Sequence, residues 1–330
     1  MRTKACAAIF WLVAVMLASA AMAQAPAAAP AQAYPIRPVR IIVPFPPGGT
    51  SDLIARMVAQ KLSEAWGQQA IVENRGGAGG NIGMGLAARA TPDGYTMLLV
   101  SSVYAVNPSL YPSVPYDPYK SFIPVAIIAM APDVFVVHPS LGAKSMQELA
   151  TLLRTGGKKY SIATPGVGTN ADLVAELFKL TTKTDLVRVP YAGAGPAVAA
   201  VVGNQVPIGC VALPGAVSGI KAGSLRALAV AGNKRSGALP DVPTVSEAGF
   251  AGHESEGIQA LFVPAGTSKA IVTKISNEIQ RINTLPDVKA RVAGFGYETI
   301  AITPEQFAAQ MKDEIAKWAQ VVKRVGIKVE

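Results

Sequence analysis

Val39–Val43 (VRIIV) followed by Pro44–Asp52 (PFPPGGTSD) is the stretch on which the fold turns. A short β-branched apolar run stops at prolines, passes Gly48 and Gly49, and meets Thr50, Ser51 and Asp52. Leu53, Ile54, Met57, Val58, Leu62 and Trp66 then recur at helical spacing, so residues 53–66 read as an amphipathic helix. A strand that feeds a helix through such a turn leaves backbone N–H groups free at the helix N-terminus, beyond the carboxyl end of the strand. That place suits a carboxylate or phosphate without a cationic side chain. Thr50 and Ser51 also suit an ordinary N-cap. Asp52 is either an acid favoured by the helix dipole or an acceptor for a ligand hydroxyl or amino group.

Working outward, strands and helices alternate. Ala70–Val72 reads as a strand, Arg75–Gly85 as a glycine-rich lead into a small-residue helix, Pro92–Gly94 as a turn and Thr96–Val100 as a strand. This repeated pattern predicts a doubly wound parallel sheet. Ala126–Val137 is a long extended run, after which a second series begins. It comprises helix 146–153, strand 160–163, helix 171–180, strand 187–190, helix 196–202, and strands 206–211 and 227–231. Residues 233–250 form a Pro/Gly-rich connection, and Ile258–Val263 is another extended run that could return the chain to the first domain. Two amphipathic helices close the chain. One carries Ile271, Val272, Ile275, Ile279 and Ile282, and the other Phe307, Met311, Ile315, Trp318, Val322 and Val325.

The N-terminus reads as an export signal over residues 1–23. Arg2 and Lys4 precede an apolar run from Cys6 to Ala20, and Ala21-Met22-Ala23 offers a cleavage site. Residues 24–33 are a flexible lead-in, with a second possible cut after Ala33. The formal charge of +9 falls to +7 without Arg2 and Lys4. The basic residues are dispersed and not interleaved with aromatics, which argues against nucleic acid. Cys210 is then the sole cysteine, in an apolar run, and reads as a buried, inert thiol. No lipid-attachment cysteine marks the cleavage site, so the expected compartment is the periplasm.

Catalysis is hard to assemble. His138 and His253, the two histidines, lack metal spacing, and no G-x-S-x-G elbow occurs. No catalytic residue, metal or cofactor is expected. Gly76–Gly85 lacks the Lys-Ser/Thr ending of a phosphate loop and reads as a tight turn with close helix packing. Gly166–Ala171 fits G-x-G-x-x-A, but Asp185 precedes the next strand rather than ending it, which leaves the dinucleotide reading without its ribose acid. Arg75 and Arg188 could reach a ligand or serve structural roles.

Six segments together resemble the Bug-type periplasmic receptors of tripartite tricarboxylate transporters. They are Tyr34–Pro38 (YPIRP), Ile42–Asp52 (IVPFPPGGTSD), Val72–Thr96 (containing ENRGGAGGNIG and PDGYT), Asn107–Tyr111 (NPSLY), Val189–Ala197 (VPYAGAGPA) and Leu239–Gly249 (LPDVPTVSEAG). The resemblance spans nearly the whole chain after the signal. It implies a type II periplasmic-binding-protein fold, with two doubly wound α/β domains joined by two crossing strands. Domain 1 would comprise residues 34–134 and 255–330, and domain 2 residues 135–254. It also implies capture of a small carboxylate in the cleft, delivery to membrane transporter subunits, and a monomer. Carried over position by position, the first ligand loop is Phe45, Pro46, Gly48, Gly49, Thr50, Ser51 and Asp52. The facing loop contributes Thr164, Gly166, Gly168, Thr169 and Asn170, with Ser101, Ser102, Tyr191, Ala192 and Gly193 lining the same cleft. This chain departs from the family at Asp172, where relatives usually carry His, at Ala200, where many carry Asp, and at Gly203–Pro207 (GNQVP) in place of GGQVD. These departures bear on ligand identity rather than on fold. Two other classes remain open, a secreted hydrolase acting on a carboxylate compound and a solute sensor that signals to a partner protein.

Overall fold

The computed structural model describes residues 34–155 and 160–327. The chain divides into Met1–Ile36 and Arg37–Glu330. Only residues 34–36 of the first unit are described, and they form no helix or strand. The signal-peptide and lead-in readings therefore lie outside the described residues. All the helices and strands of the described residues belong to the second unit.

Val39–Val43 is strand β1, with every residue but Arg40 buried. Helix α1, Thr50–Trp66, buries Ile54, Met57, Val58 and Leu62. Strand β2 (Ala70–Asn74) pairs parallel to β1. A 3-10 turn at Ala78–Gly80 then enters helix α2, Asn81–Ala88. The glycine-rich stretch serves close packing: a Cβ at Gly83 would lie 2.6 Å from the Arg75 carbonyl oxygen and 2.8 Å from Pro44 Cβ. Strand β3 (Thr96–Ser101), parallel to β1, leads to helix α3 (Val103–Leu110), which sequence periodicity did not reveal because it is short and contains Pro108.

Strand β4 is longer than the sequence suggested, Phe122–Val137. The second series comes next: helix α4 (Met146–Thr155), β5 (Tyr160–Thr164), α5 (Asn170–Thr182), β6 (Leu186–Pro190), α6 (Ala194–Val202), β7 (Ile208–Ala212), α7 (Leu213–Lys221) and β8 (Arg226–Val230). Helix α7 is an addition to the sequence reading; its small residues give no strong stripe. Strand β9 is Glu256–Pro264. Three helices rather than two close the chain: α8 (Lys269–Thr284), α9 (Pro286–Gly294) and α10 (Pro304–Val325). A short strand, β10 (Glu298–Thr299), precedes the last.

The strand order is β2-β1-β3-β9-β4-β7-β5-β6, with β8 and β10 also paired to β4. Pairing is parallel among β2, β1 and β3 and among β6, β5 and β7. It is antiparallel wherever β4 and β9 take part. Strand β4 changes partner part-way. Phe122–Pro132 runs beside β9, and Asp133–Val137 runs beside β7 and β8. Strand β4 thus passes from one α/β half to the other, while β9 (Glu256–Pro264) stays beside β3 and the first part of β4. The switch is stitched by backbone bonds: Asp133 N donates to the Ser255 carbonyl, Ser255 N to the Ala231 carbonyl, and Ala231 N to the Asp133 carbonyl.

One apolar cluster runs continuously through both halves, and a second, around Val134, Val136, Ala163 and Val201, packs in the second half. At the first half's end of the continuous cluster, Tyr104, Tyr116, Phe122, Phe262 and Phe307 pack together, with Tyr104 and Phe262 stacked at 4.6 Å between ring centroids. Phe135, Phe178 and Phe250 pack at its other end. Helix α10 buries Phe307, Met311, Ile315, Trp318 and Val322 and packs on α3, β4 and α5, so it ties the halves together. Cys210 is fully buried on β7, and burial pushes its thiol well above its ordinary range, which agrees with an inert role. Among the described residues, no helix is long and apolar enough to cross a membrane.

Candidate functional site

A cleft of about 600 Å³ opens at the carboxyl ends of the parallel strands. Helices begin there because each β-α unit turns over at the end of its strand. The N-cap residues of five helices all line it: Gly49 of α1, Ser102 of α3, Thr169 of α5, Gly193 of α6 and Ala212 of α7. Each helix start carries partial positive charge and N–H groups without intrahelical partners. Among the described residues that line the cleft, none is a lysine, arginine or histidine. Any charge selectivity therefore rests on dipoles and neutral donors.

Of the residues expected from sequence, Phe45, Pro46, Gly49, Thr50, Ser51, Ser101, Ser102, Thr169, Asn170, Ala192 and Gly193 come together on the cleft wall. Gly48, Asp52, Thr164, Gly166, Gly168 and Tyr191 do not. The physical reason is that these six build the loops behind the wall. Asp52 is buried and accepts from Gly48 N (2.9 Å), Arg56 Nε (2.9 Å) and Asn74 Nδ2 (3.0 Å). Burial opposes its ionisation, but the hydrogen bonds from Arg56, Gly48 and Asn74 outweigh it and hold the carboxyl below its ordinary range. Asp52 is thus structural, one of the two readings left open above.

The facing loop repeats this device. Asp172 is fully buried and accepts from Thr164 Oγ1 (2.7 Å), Gly168 N (2.9 Å) and Arg188 Nη1 (2.6 Å). Thr164 has no exposed surface. The Tyr191 and Gly193 N–H groups donate to the Thr164 and Pro165 carbonyls, which fixes the third loop against the second. Arg188 is thereby a structural partner of Asp172 and not a cleft residue. Arg75 is likewise engaged, with Glu73.

Several hydroxyls expected to bind are partly committed. Ser51 Oγ donates to Gln259 Oε1 at 2.8 Å. Thr169 Oγ1 donates to the Gly166 carbonyl (2.9 Å) and accepts from Asp172 N (3.3 Å). Ser102 Oγ accepts from Ile258 N at 2.9 Å, a bond that leaves its own proton to donate elsewhere. The Asn170 amide reaches the Glu256 carbonyl only at 3.5 Å.

Three polar side chains of the cleft escaped the sequence reading, besides small and apolar lining residues such as Ala212 and Ile258. Gln259 lies on β9; Asp133 sits where β4 changes partner; Tyr297 comes from the segment between α9 and β10. Gln259, already holding Ser51, neighbours the Tyr297 side chain, and burial pushes the pKa of the Tyr297 hydroxyl up to about 12. Asp133 and Gln259 did carry a signal. Asp133 is the one charged residue in Phe122–Val137, and Gln259 the one uncharged polar side chain in Glu256–Pro264. Tyr297 carried none. Among the described residues, no cluster of His, Cys, Asp or Glu could hold a metal ion.

A family model described as tripartite tricarboxylate transporter family receptor matches residues 54–327. The chain belongs to that family. Its members are periplasmic solute-binding receptors rather than enzymes, and the fold is the type II periplasmic-binding-protein fold. Protein BugT of Bordetella pertussis is 37% identical over 313 residues, covering 94% of this chain and 96% of BugT. A solved structure of a periplasmic transporter is 41% identical, with a TM-score of 0.78, over 90% of this chain and 100% of that one. Rpa4515 of R. palustris, solved with adipate, is 32% identical with a TM-score of 0.78, over 89% of this chain and 99% of that one. The receptor family takes the place of the hydrolase reading.

Proposed function

We propose that this chain is an exported receptor that holds a small carboxylate between its two α/β halves and hands it to a tripartite transporter in the membrane. The carrying observation is the convergence of five helix N-termini on a cleft without a cationic side chain among its described residues. Dipoles and N–H groups satisfy an anion there without an arginine fork. Adipate, held in the structure of the relative Rpa4515, is a dicarboxylate, which supports the substrate class. The working boundaries are residues 34–134 with 255–330 for one domain and 135–254 for the other. The domains close on the ligand by rotation about the crossing strands. Residues 1–23 direct export, and the processed receptor works as a monomer in the periplasm. The ligand contacts assigned are Gly49, Thr50, Ser51, Ser101, Ser102, Thr169, Asn170 and Gly193, with Phe45, Pro46 and Ala192 as apolar walls.

Thermal unfolding of the processed protein against a panel of mono-, di- and tricarboxylates tests this reading. A ligand at about 100 times its Kd adds roughly 2.7 kcal/mol, a shift of a few degrees. Gly49→Pro removes one N–H at a φ of −76° that proline accepts, and should weaken binding by about tenfold with folding nearly intact. No shift with any acid, together with no small acid retained on purification, would sink the receptor reading. A shift equal in wild type and Gly49→Pro would sink the placement of the anion at α1.

A further inference from the structure

Among the described residues, the cleft is lined by one acidic side chain, Asp133, and it sits at the point where β4 passes from one half of the molecule to the other. The residue is only 4% exposed, yet it lines the cleft. Its Oδ2 accepts from Ser255 Oγ at 2.5 Å, and Oδ1 has no hydrogen-bond partner among the described residues. An almost fully buried carboxyl with one free oxygen in a cleft built for anions needs an explanation. Two ionised carboxylates at close range repel strongly, and burial raises that cost further. The conflict disappears if one of them carries a proton.

Resting on the receptor reading above, we propose that Asp133 is a specificity-determining residue of the cleft, a carboxylic acid whose Oδ1–H donates to an oxygen of the bound carboxylate. Ser255 keeps Oδ2 as acceptor, which leaves Oδ1 as the oxygen that carries the proton. The surroundings favour this state: burial pushes the carboxyl up to about 7, against the smaller opposing effects of the Ser255 hydrogen bond and the Lys317 charge. A buried carboxylic acid kept neutral in an apolar site is a strong donor to an oxyanion.

The groups that face Asp133 from neighbouring elements are few. Tyr297, on the other wall, is held neutral by burial over the working pH range. The Cys210 thiol on β7 is likewise neutral. Lys317 on α10 is the facing cation and is paired with Glu314 at 3.3 Å. Glu256 lies opposite Pro132 on β9 and accepts from Asn233 at 3.3 Å. His253, close in sequence to Ser255, is packed against Phe178 and Phe250, and burial pushes its ring below the ordinary range. A ligand with an ammonium group would invert the logic, since an ionised Asp133 would attract it.

Isothermal titration of the processed protein and of Asp133→Asn with adipate and with glutamate, from pH 5.5 to 8.5, decides the matter. Asparagine keeps an N–H donor at nearly the same volume and cannot ionise. The expected result is that adipate binds wild type with constant affinity at the acid end and loses close to tenfold per pH unit above about 7. Asp133→Asn should hold adipate with an affinity that does not change with pH. Affinity of wild type for adipate that is flat over the whole range would overturn the proposal while leaving the receptor reading intact. So would tighter binding of glutamate with rising pH that is lost at least tenfold in Asp133→Asn. Binding of neither acid at any pH overturns the proposal for both probes, and failure of the wider carboxylate panel would then remove the receptor reading as well. Circular-dichroism melting of both proteins confirms that the variant is folded.

Discussion

The loop after β1 and the loop after β5 are built on one plan and fastened differently. Gly48 and Gly168 each adopt a positive φ, 85° and 77°, and each donates its N–H to an acid four residues on, Asp52 or Asp172. Each acid also binds an arginine, and each helix starts on the residue after its N-cap, Gly49 or Thr169. The first loop is fastened locally: Arg56 lies one turn along the same helix and its side chain is 52% exposed. The second is fastened through the sheet: Arg188 lies on β6, largely buried, and also reaches Glu176. The first cap has no side chain, whereas the second uses the Thr169 hydroxyl for the loop itself. One design thus yields a locally held loop with hydroxyls on the cleft wall, and a more deeply anchored loop facing it.

The largest expected effect separates the two acids. Asp172→Ala leaves the partly buried Arg188 with Glu176 alone, at 3.5 Å, and two buried donors without an acceptor, and should cost about 3–5 kcal/mol in urea unfolding. Asp52→Ala leaves an arginine that water can reach, and should cost less, about 1–3 kcal/mol. Equal losses would show that the anchoring of the loops does not differ.

Asp133 and Asp52 should show opposite pH signatures. The Asp133 carboxyl is raised from 3.8 to about 7, so between these values the folded state binds more protons than the unfolded state, and stability falls as pH rises. Asp133→Asn should therefore gain stability relative to wild type, progressively from pH 4 to 7 and level above, by a few kcal/mol at most. Asp52 is lowered, so its contribution is present above its ordinary value and is lost as pH falls through the acid range. The destabilisation by Asp52→Asn should accordingly vanish on acidification. Melting curves across pH read both.

Gly168→Ala should cost more than Gly48→Ala. Both force alanine into the left-handed region, about 1–2 kcal/mol. At Gly168 the new Cβ would also lie 2.2 Å from Leu110 Cδ2, so that side chain must move, whereas nothing lies within 4 Å at Gly48. The smallest effect should come at the caps. Thr169→Ala loses a side-chain cap, about 1 kcal/mol, while Gly49→Ala, at an ordinary φ of −76°, should cost well under that. A loss at Gly49 as large as at Thr169 would place an unseen constraint on the first loop.

Much of this was legible in the sequence. The stripe Ile54, Met57, Val58, Leu62 and the stripe Phe307, Met311, Ile315, Trp318, Val322 follow from periodicity, and both are buried as read. The N-terminal turns at Gly49 and Thr169 were readable because strand, glycine, hydroxyl and acid occur in close succession. Helices α3 and α7 were not, since Pro108 interrupts one and small residues blur the other. Neither was the division between wall and backing. Thr50 and Asp52 look equally available in one dimension, and only the bonds from Gly48, Arg56 and Asn74 turn Asp52 away from the cleft.

What the sequence determined alone was the alternation of strands and helices, the strand-turn-helix junctions at Gly49 and Thr169 and the family, because each of these is carried by a run of neighbouring residues. The tertiary structure decided that Ser51 bonds Gln259 beside Tyr297, and that an acid from β4 enters the cleft between five helix starts. Those residues lie far apart along the chain, and their meeting depends on the path of β4 between the halves and of β9 beside it. No local pattern encodes that path; it is fixed by which strands find partners and by the burial each pairing brings.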